Sequence, residues 1–548
     1  MKKLLFVMLC FFLGNCSTPV NTRKKNSPKL VVGVVVDQMR YDYLTRFEEK
    51  YGENGFKRLI KEGYHCKEHH FSYMPTYTGP GHASVFTGTT PKTHGIIAND
   101  WYDRDLKRYV YCAEDTTVKS VGGDFSKENR SPQNMLVTSI ADQIKLHTQK
   151  RGKSIGISIK DRGAILPAGK MADAAYWFVG GKEGKFISST YYMNELPTWV
   201  KKFNNQKYPD KYMKQNWETL YPIKTYTESG PDNNPHEESL KKNGEPVFPY
   251  DLGEVFEDIG YHVMKETPYG NDLLVDFAKE TIVKEQLGSD EITDFLSVSF
   301  SSTDYIGHSY GPQSVEIEDT YLRLDKTLAQ FLEFLDNQIG EGNYTVFLTA
   351  DHGVAQIPSN LMENGVEVGY YNSKEMKKSV DSLLALEYNM NGLIENFSNY
   401  QFFMDYHKVD SLGLNRKEIA QKILSLSLQL PGVKSGITAE SLREFDYLEG
   451  VEQKVQNGWN IQKSGDVAII MEPGWLSSKY KENGGTGHGS PWSYDTHVPL
   501  LFFGFGIENG ESILPTSVED IVPTIAHVVG VQAPMGCSGK PISVVSSY

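Results

Sequence analysis

Short, almost unbroken apolar runs recur along the chain at residues 30–36, 154–159, 295–300, 344–349, 467–471 and 498–503. They are shorter than ordinary helices and rich in Val, Ile, Leu and Phe, the pattern of strands buried on both faces. Segments of helical character separate them. This alternation predicts an α/β fold, a mainly parallel sheet with helices on both faces. In such sheets ligands gather at the carboxyl ends of the strands. Asp37 ends the first run, Lys160 the second, and Asp304, with His308 four residues on, follows the third; Asp351-His352 closes the fourth.

The pattern breaks twice. Residues 188–251 are enriched in Tyr, Trp, Lys, Asn and Pro, with little periodicity and a turn at Ser229-Gly230-Pro231-Asp232. Residues 357–481 form a second insertion, in which Asn415 caps a predicted helix with Ile419, Ile423, Leu426 and Leu430 on one face and Pro431 at its end. The expected organisation is a core in three parts, 29–187, 252–356 and 482–548, with an insertion at 188–251 and an insertion at 357–481 acting as a cap. No internal repeat or low-complexity tract is present, which excludes solenoid and fibrous architectures.

Lys2 and Lys3 precede an apolar stretch, residues 4–13, and then Gly14-Asn15-Cys16, so residues 1–16 read as an export signal too short to span a bilayer. Leu13-Gly14-Asn15-Cys16 resembles a lipoprotein cleavage box in which Cys16 is acylated, with ordinary signal cleavage as the alternative. Both routes lead to the bacterial periplasm or cell envelope, and lipidation of Cys16 is the one expected membrane attachment. Cys66, Cys112 and Cys537 then remain. They allow at most one disulfide, with Cys66–Cys112 favoured and the pairing left open by the sequence. A formal net charge of -13 disfavours a nucleic acid partner but leaves room for a local anion site.

Asp37, Asp304, Asp351, His308, His352 and His488 are hard-to-borderline metal ligands placed at strand ends or in Gly-rich loops, a set that suits two divalent ions better than one. Singly, each reads as a helix cap or a surface pair; together they do not. His65, Cys66, His69 and His70 lack an accompanying carboxylate-rich strand end and are assigned no metal, and His82, His94 and His497 are expected to orient loops. Thr78 precedes Gly79-Pro80-Gly81 and a helix-compatible stretch, which places a hydroxyl at a helix N-terminus. Free backbone N–H groups there favour an anion, and a nearby metal favours deprotonation of the hydroxyl, so the chemistry points to phosphate or sulfate.

Seven motifs carry a family resemblance: Val36-Asp37-Gln38-Met39-Arg40, Thr78-Gly79-Pro80-Gly81-His82, Asn99-Asp100, Lys160-Asp161-Arg162, Ser302-Thr303-Asp304 with His308, Asp351-His352-Gly353, and Thr486-Gly487-His488-Gly489. The chain resembles the alkaline phosphatase superfamily, specifically its monomeric, PafA-like branch with a threonine nucleophile. The resemblance implies two Zn2+ ions: one held by Asp37, Asp351 and His352 that activates Thr78, the other held by Asp304, His308 and His488 on the leaving-group side. It also implies that Lys160 and Arg162, sharing a face in extended geometry, clamp the phosphoryl oxygens together with Asn99. Such a clamp favours monoesters over diesters, because a diester replaces a charged oxygen with bulk. The expected function is hydrolysis of small-molecule phosphate monoesters through a covalent phosphothreonine, with broad substrate range. The alternatives are a phosphodiesterase or nucleotide pyrophosphatase of the same superfamily, and a surface protein that binds phosphate or zinc without turnover.

Overall fold

The computed structural model describes residues 27–123, 128–241 and 244–543. The expected export signal and Cys16 lie outside them. Ten strands form the main sheet. In chain order these are β1 (Leu30–Val36), β2 (Tyr64–Cys66), β3 (Ser120–Val121), β4 (Ser154–Ser158), β5 (Ala174–Val179), β6 (Lys185–Ser189), β7 (Asp294–Phe300) and β8 (Tyr344–Thr349). The chain returns with β13 (Leu500–Gly504) and β14 (Gly510–Ser512) after four strands of a separate sheet: β9 (Ile394–Ser398), β10 (Gln401–Met404), β11 (Val433–Thr438) and β12 (Val467–Met471).

Across the main sheet the order is β14-β2-β13-β8-β1-β7-β4-β5-β6-β3, with β8, β1, β7, β4 and β5 mutually parallel. Every residue of β1 is buried, as a strand covered on both faces requires. Four strands whose ends carry candidate ligands or cations, β8, β1, β7 and β4, are immediate neighbours. Adjacent strands lie about 4.8 Å apart, so this order alone brings Asp351, Asp37, Asp304 and Lys160 together.

The apolar run at 467–471 is a strand, but in the smaller antiparallel sheet of order β9-β10-β12-β11 and not in the parallel core. Its length and composition match those of a core strand, so the run alone does not reveal which sheet it joins. That sheet packs with helices from residues 357–481 around its own apolar cluster, which includes Val380, Ile423, Phe402 and Ile469. The helix expected after Asn415 spans Arg416–Ser427, with the Asn415 side chain accepting from Lys417 N and Ile419, Ile423 and Leu426 buried; Leu430 lies beyond its end. The expected Cys66–Cys112 disulfide is absent. Both cysteines are buried and free, in different apolar clusters.

Residues 188–251 lie over the long helix Val315–Leu335. Asp319 on that helix accepts hydrogen bonds from Trp217 Nε1, Leu220 N and the Tyr226 hydroxyl at 2.6–2.8 Å. The same contact buries two acids, Glu237 and Glu316, each with an unpartnered carboxylate oxygen. Burial, and for Glu237 also the charge of Glu316, holds both carboxyls well above their ordinary range. A carboxyl kept protonated only in the fold binds more protons folded than unfolded, so stability declines as pH rises from the ordinary carboxylate range through the raised values. Glu316→Gln is therefore expected to raise the melting temperature more at about pH 9 than at about pH 6; a calorimetric shift that is equal at both would contradict the assignment.

Candidate active site

Thr78 is the first residue of the helix Thr78–Thr87, preceded by Tyr77 in extended conformation, and it is 1% exposed. Two glycines let this helix lie close to the sheet. A Cβ on Gly33 in β1 would meet Phe86 at 2.6 Å, and one on Gly81 would meet the Asp351 carbonyl oxygen at 2.3 Å. Gly79 N donates to Asn99 Oδ1 at 2.7 Å. The amide oxygen is thereby engaged, which leaves the Asn99 NH2 to face the pocket as a donor. Thr78 Oγ1 lies 3.4 Å from both His352 Nε2 and Arg162 Nη2.

The six candidate ligands converge around it. Asp37, Asp351 and His352 form one group of closely spaced ligand atoms, and Asp304, His352 and His488 another. His308 Nε2 stands 3.3 Å from Asp304 Oδ1, and the His352 and His488 rings stack at 3.5 Å. All three imidazoles are oriented alike. Nδ1 of His308, His352 and His488 pairs with the backbone carbonyls of Thr486, Gly353 and Thr76 at 2.8, 3.0 and 2.7 Å, which directs Nε2 inward as a lone-pair donor. Burial lowers the pKa of each ring, favouring the neutral form that binds metal.

The carboxylates fit a cation as well. Asp37 Oδ1 and Asp351 Oδ2 are buried without an aligned hydrogen bond. His82 Nδ1 approaches Asp351 Oδ2 to 3.2 Å but sits closer, 2.9 Å, to the Thr78 carbonyl, which takes its N–H. Burial would raise Asp304, yet nearby positive charge, from Lys160 and from His308, His488 and His352 when protonated, holds its carboxyl far below the ordinary range; Asp37 is pushed up by burial and by Asp351. Orphaned acid oxygens facing neutral imidazoles are the donor set of a divalent metal centre.

A family model described as type I phosphodiesterase / nucleotide pyrophosphatase matches residues 31–497. Alkaline phosphatase PafA of Elizabethkingia meningoseptica is 43% identical to this chain over 94% of each sequence. A crystal structure of alkaline phosphatase PafA superposes with a TM-score of 0.91 at 42% identity, covering 95% of this chain and 99% of that one. This chain belongs to the alkaline phosphatase superfamily, in its PafA-like branch. It is an enzyme of the alkaline phosphatase type. Alkaline phosphatase PhoV of Synechococcus elongatus is 43% identical over 94% of this chain and 92% of its own. A Myroides odoratus protein named calcium-transporting ATPase is 44% identical over 98% of this chain and 97% of its own; here, among the described residues, no helix is long and apolar enough to cross a membrane.

The two cations of the enzyme's expected clamp serve different neighbours. The chain does not stay extended after β4: Lys160 is the N-cap of the helix Asp161–Ala168 and Arg162 lies in its first turn. Lys160 Nζ contacts Asp37 Oδ2 at 2.7 Å and Asp304 Oδ2 at 2.5 Å, bridging the two acid groups, whereas Arg162 points to Thr78. Arg162 is held by Tyr111, whose hydroxyl accepts from Nη1 at 3.2 Å and donates to Asp161 at 2.5 Å; Arg130 Nε pairs with the same carboxylate at 2.6 Å.

Tyr111 and Arg130 escape a reading of the sequence, and Gln38 enters it only as a motif residue without a role. Gln38 Nε2 donates to Asp304 Oδ1 at 2.7 Å and its backbone N–H to Asp351 Oδ1 at 3.1 Å, from a left-handed conformation at φ 67°. Backbone strain of this kind clusters at functional sites. The motif around Asp37 contains Gln38, but its two contacts to the acids are visible only in the fold. Tyr111 and Arg130 carry no signal, because only the tertiary fold brings them to Asp161.

Proposed function

We propose that the enzyme hydrolyses phosphate monoesters through a covalent phosphothreonine at Thr78, with one zinc held by Asp37, Asp351 and His352 and a second by Asp304, His308 and His488. The observation that carries this reading is the position of Thr78 Oγ1, 3.4 Å from a candidate ligand, His352, and 3.4 Å from Arg162. When bound, the two ions supply Lewis acidity on both sides of the transferring phosphorus, easing ionisation of the attacking hydroxyl and departure of the alkoxide.

The chain's own residues do the rest. Arg162 offers a planar pair of donors and Asn99 an amide donor to the nonbridging oxygens, on which charge is concentrated in phosphoryl transfer. Lys160 has a flexible stem; once its acids are engaged by divalent cations, its ammonium is free to reach a phosphoryl oxygen. Thr78 Oγ attacks phosphorus in line, the P–O bond to the alcohol breaks, and the alcohol leaves toward the Asp304, His308 and His488 side. Water then attacks the phosphothreonine from that side, the Thr78 hydroxyl is regained, and inorganic phosphate departs with overall retention at phosphorus.

A cavity of about 500 Å³ over the site, lined in part by Tyr77, Tyr371 and Tyr400, supports a broad range of small alcohols. Residues 1–16 support export to the periplasm or cell envelope, with lipidation of Cys16 as a variant of it, and the PafA-like branch supports a monomer.

Arg162→Ala tests the clamp. It is expected to lower kcat/KM for an aryl phosphate monoester by about 100- to 1,000-fold, and for the matched diester by about tenfold or less, since a diester presents less charge to Arg162. Diester preference in the unaltered enzyme, indifferent to Arg162→Ala, would favour the phosphodiesterase reading instead.

A further inference from the structure

The cavity above the site has Asn99, His308 and His488 in its floor, while the inserted residues supply much of its wall. One wall residue, Lys479, is exposed and makes no ion pair among the described residues. Its ammonium rests over the ring of its neighbour Tyr480, 4.5 Å from the centroid. Tyr480 anchors that position: its hydroxyl is 3.1 Å from His308 Nδ1, and its ring lies parallel to the imidazole at 5.9 Å. The cation is therefore carried by the residue next to a contact of His308, on the side assigned to the departing alcohol.

The charges around the cavity give it a direction. Partial burial lowers the pKa of Lys479, and Asp304 and Glu238 oppose that without forming an ion pair with it, while Asp100 lines the same cavity beside Asn99, where it would repel an anion. On a chain of net charge -13, a local cation at the cavity wall is a favourable place for a substrate's additional negative charge.

We infer that Lys479 is a specificity residue, favouring phosphate monoesters whose alcohol carries a second anionic group, either a carboxylate or a second phosphoryl group. This rests on the proposed placement of His308 on the leaving side. The phosphoryl group undergoing transfer binds at Thr78 and Arg162, and the second anion sits in the outer cavity against the Lys479 ammonium.

The test compares three substrates with the zinc-loaded full chain: the phosphate monoesters of hydroxypropanoate, of the isosteric hydroxypropanamide, and of hydroxypropylphosphonate, whose C–P bond resists hydrolysis. The ratio of kcat/KM, charged over amide, is expected to fall about three- to fivefold in Lys479→Met, as an exposed ion pair allows. It should fall further in Lys479→Glu, and the wild-type preference should fade with added salt. A fall for both charged substrates supports a general anion subsite, a fall for the phosphonate alone a second phosphoryl group, and a fall for the carboxylate alone a carboxylate. An unchanged ratio in Lys479→Glu, with folding verified by thermal melting, overturns the inference. Failure of the unaltered enzyme to turn over any of the three esters would overturn the monoesterase reading beneath it.

Discussion

Thr78→Ala is expected to lower kcat/KM for an aryl phosphate monoester by on the order of 10⁴-fold or more, the scale seen when the nucleophile of a covalent mechanism is removed. The reasons are geometric. Thr78 is almost fully buried at the first turn of its helix, its backbone carbonyl is tied to His82 Nδ1 at 2.9 Å, and Arg162 Nη2 approaches its hydroxyl oxygen to 3.4 Å. A water in that position would lack the covalent tether that fixes the hydroxyl oxygen to the helix. Thr78→Ser keeps the oxygen and should keep much of the rate. Acid quenching during turnover followed by peptide mass spectrometry should find phosphate on Thr78 in the unaltered enzyme and none at that position in Thr78→Ala. The covalent mechanism is falsified if Thr78→Ala retains most of its rate, and inversion of stereochemistry at phosphorus would then point to direct attack by water.

Much of this candidate site is legible before any fold is known, because its candidate ligands sit at the ends of strands that announce themselves. The runs before Asp37 and Asp351 stand in the structure as β1 and β8 with the expected bounds, and their neighbours β7 and β4 deliver Asp304 and Lys160. Local signals fail where the answer depends on what a segment packs against. The strand Val467–Met471 is as apolar as a core strand, yet it joins the second sheet. Lys160 and Arg162 sit in a one-residue spacing that means one thing in a strand and another at a helix start, and the helix start is what forms. Tyr111 is 51 residues from Arg162 along the chain, and its contact exists only once β4 and its helix are in place.

Exhaustive chelation is expected to abolish turnover by on the order of 10³-fold or more, and zinc to restore it, since both the nucleophile and the leaving oxygen depend on divalent charge. Elemental analysis of the restored enzyme should find two zinc ions per chain, falling to one in Asp37→Asn and in His488→Ala. Full activity with a single bound ion would sink the two-zinc reading. Stability supplies a second, independent readout. Three buried carboxylates, Asp37, Asp304 and Asp351, crowd the site, and Lys160 is the cation that bridges two of them at 2.7 and 2.5 Å. In chelated protein Lys160→Met leaves those acids uncompensated, a loss of about 3–5 kcal/mol for breaking a buried ion pair. With zinc loaded, divalent charge would offset the repulsion among the same carboxylates, and ions at a thousandfold above their Kd would stabilise by about 4 kcal/mol each. Lys160→Met should therefore lower the melting temperature strongly after chelation and only slightly with zinc present. An equal loss in both states would mean that Lys160 and the metals do not share the same carboxylates, and would move Lys160 out of the site's charge balance altogether.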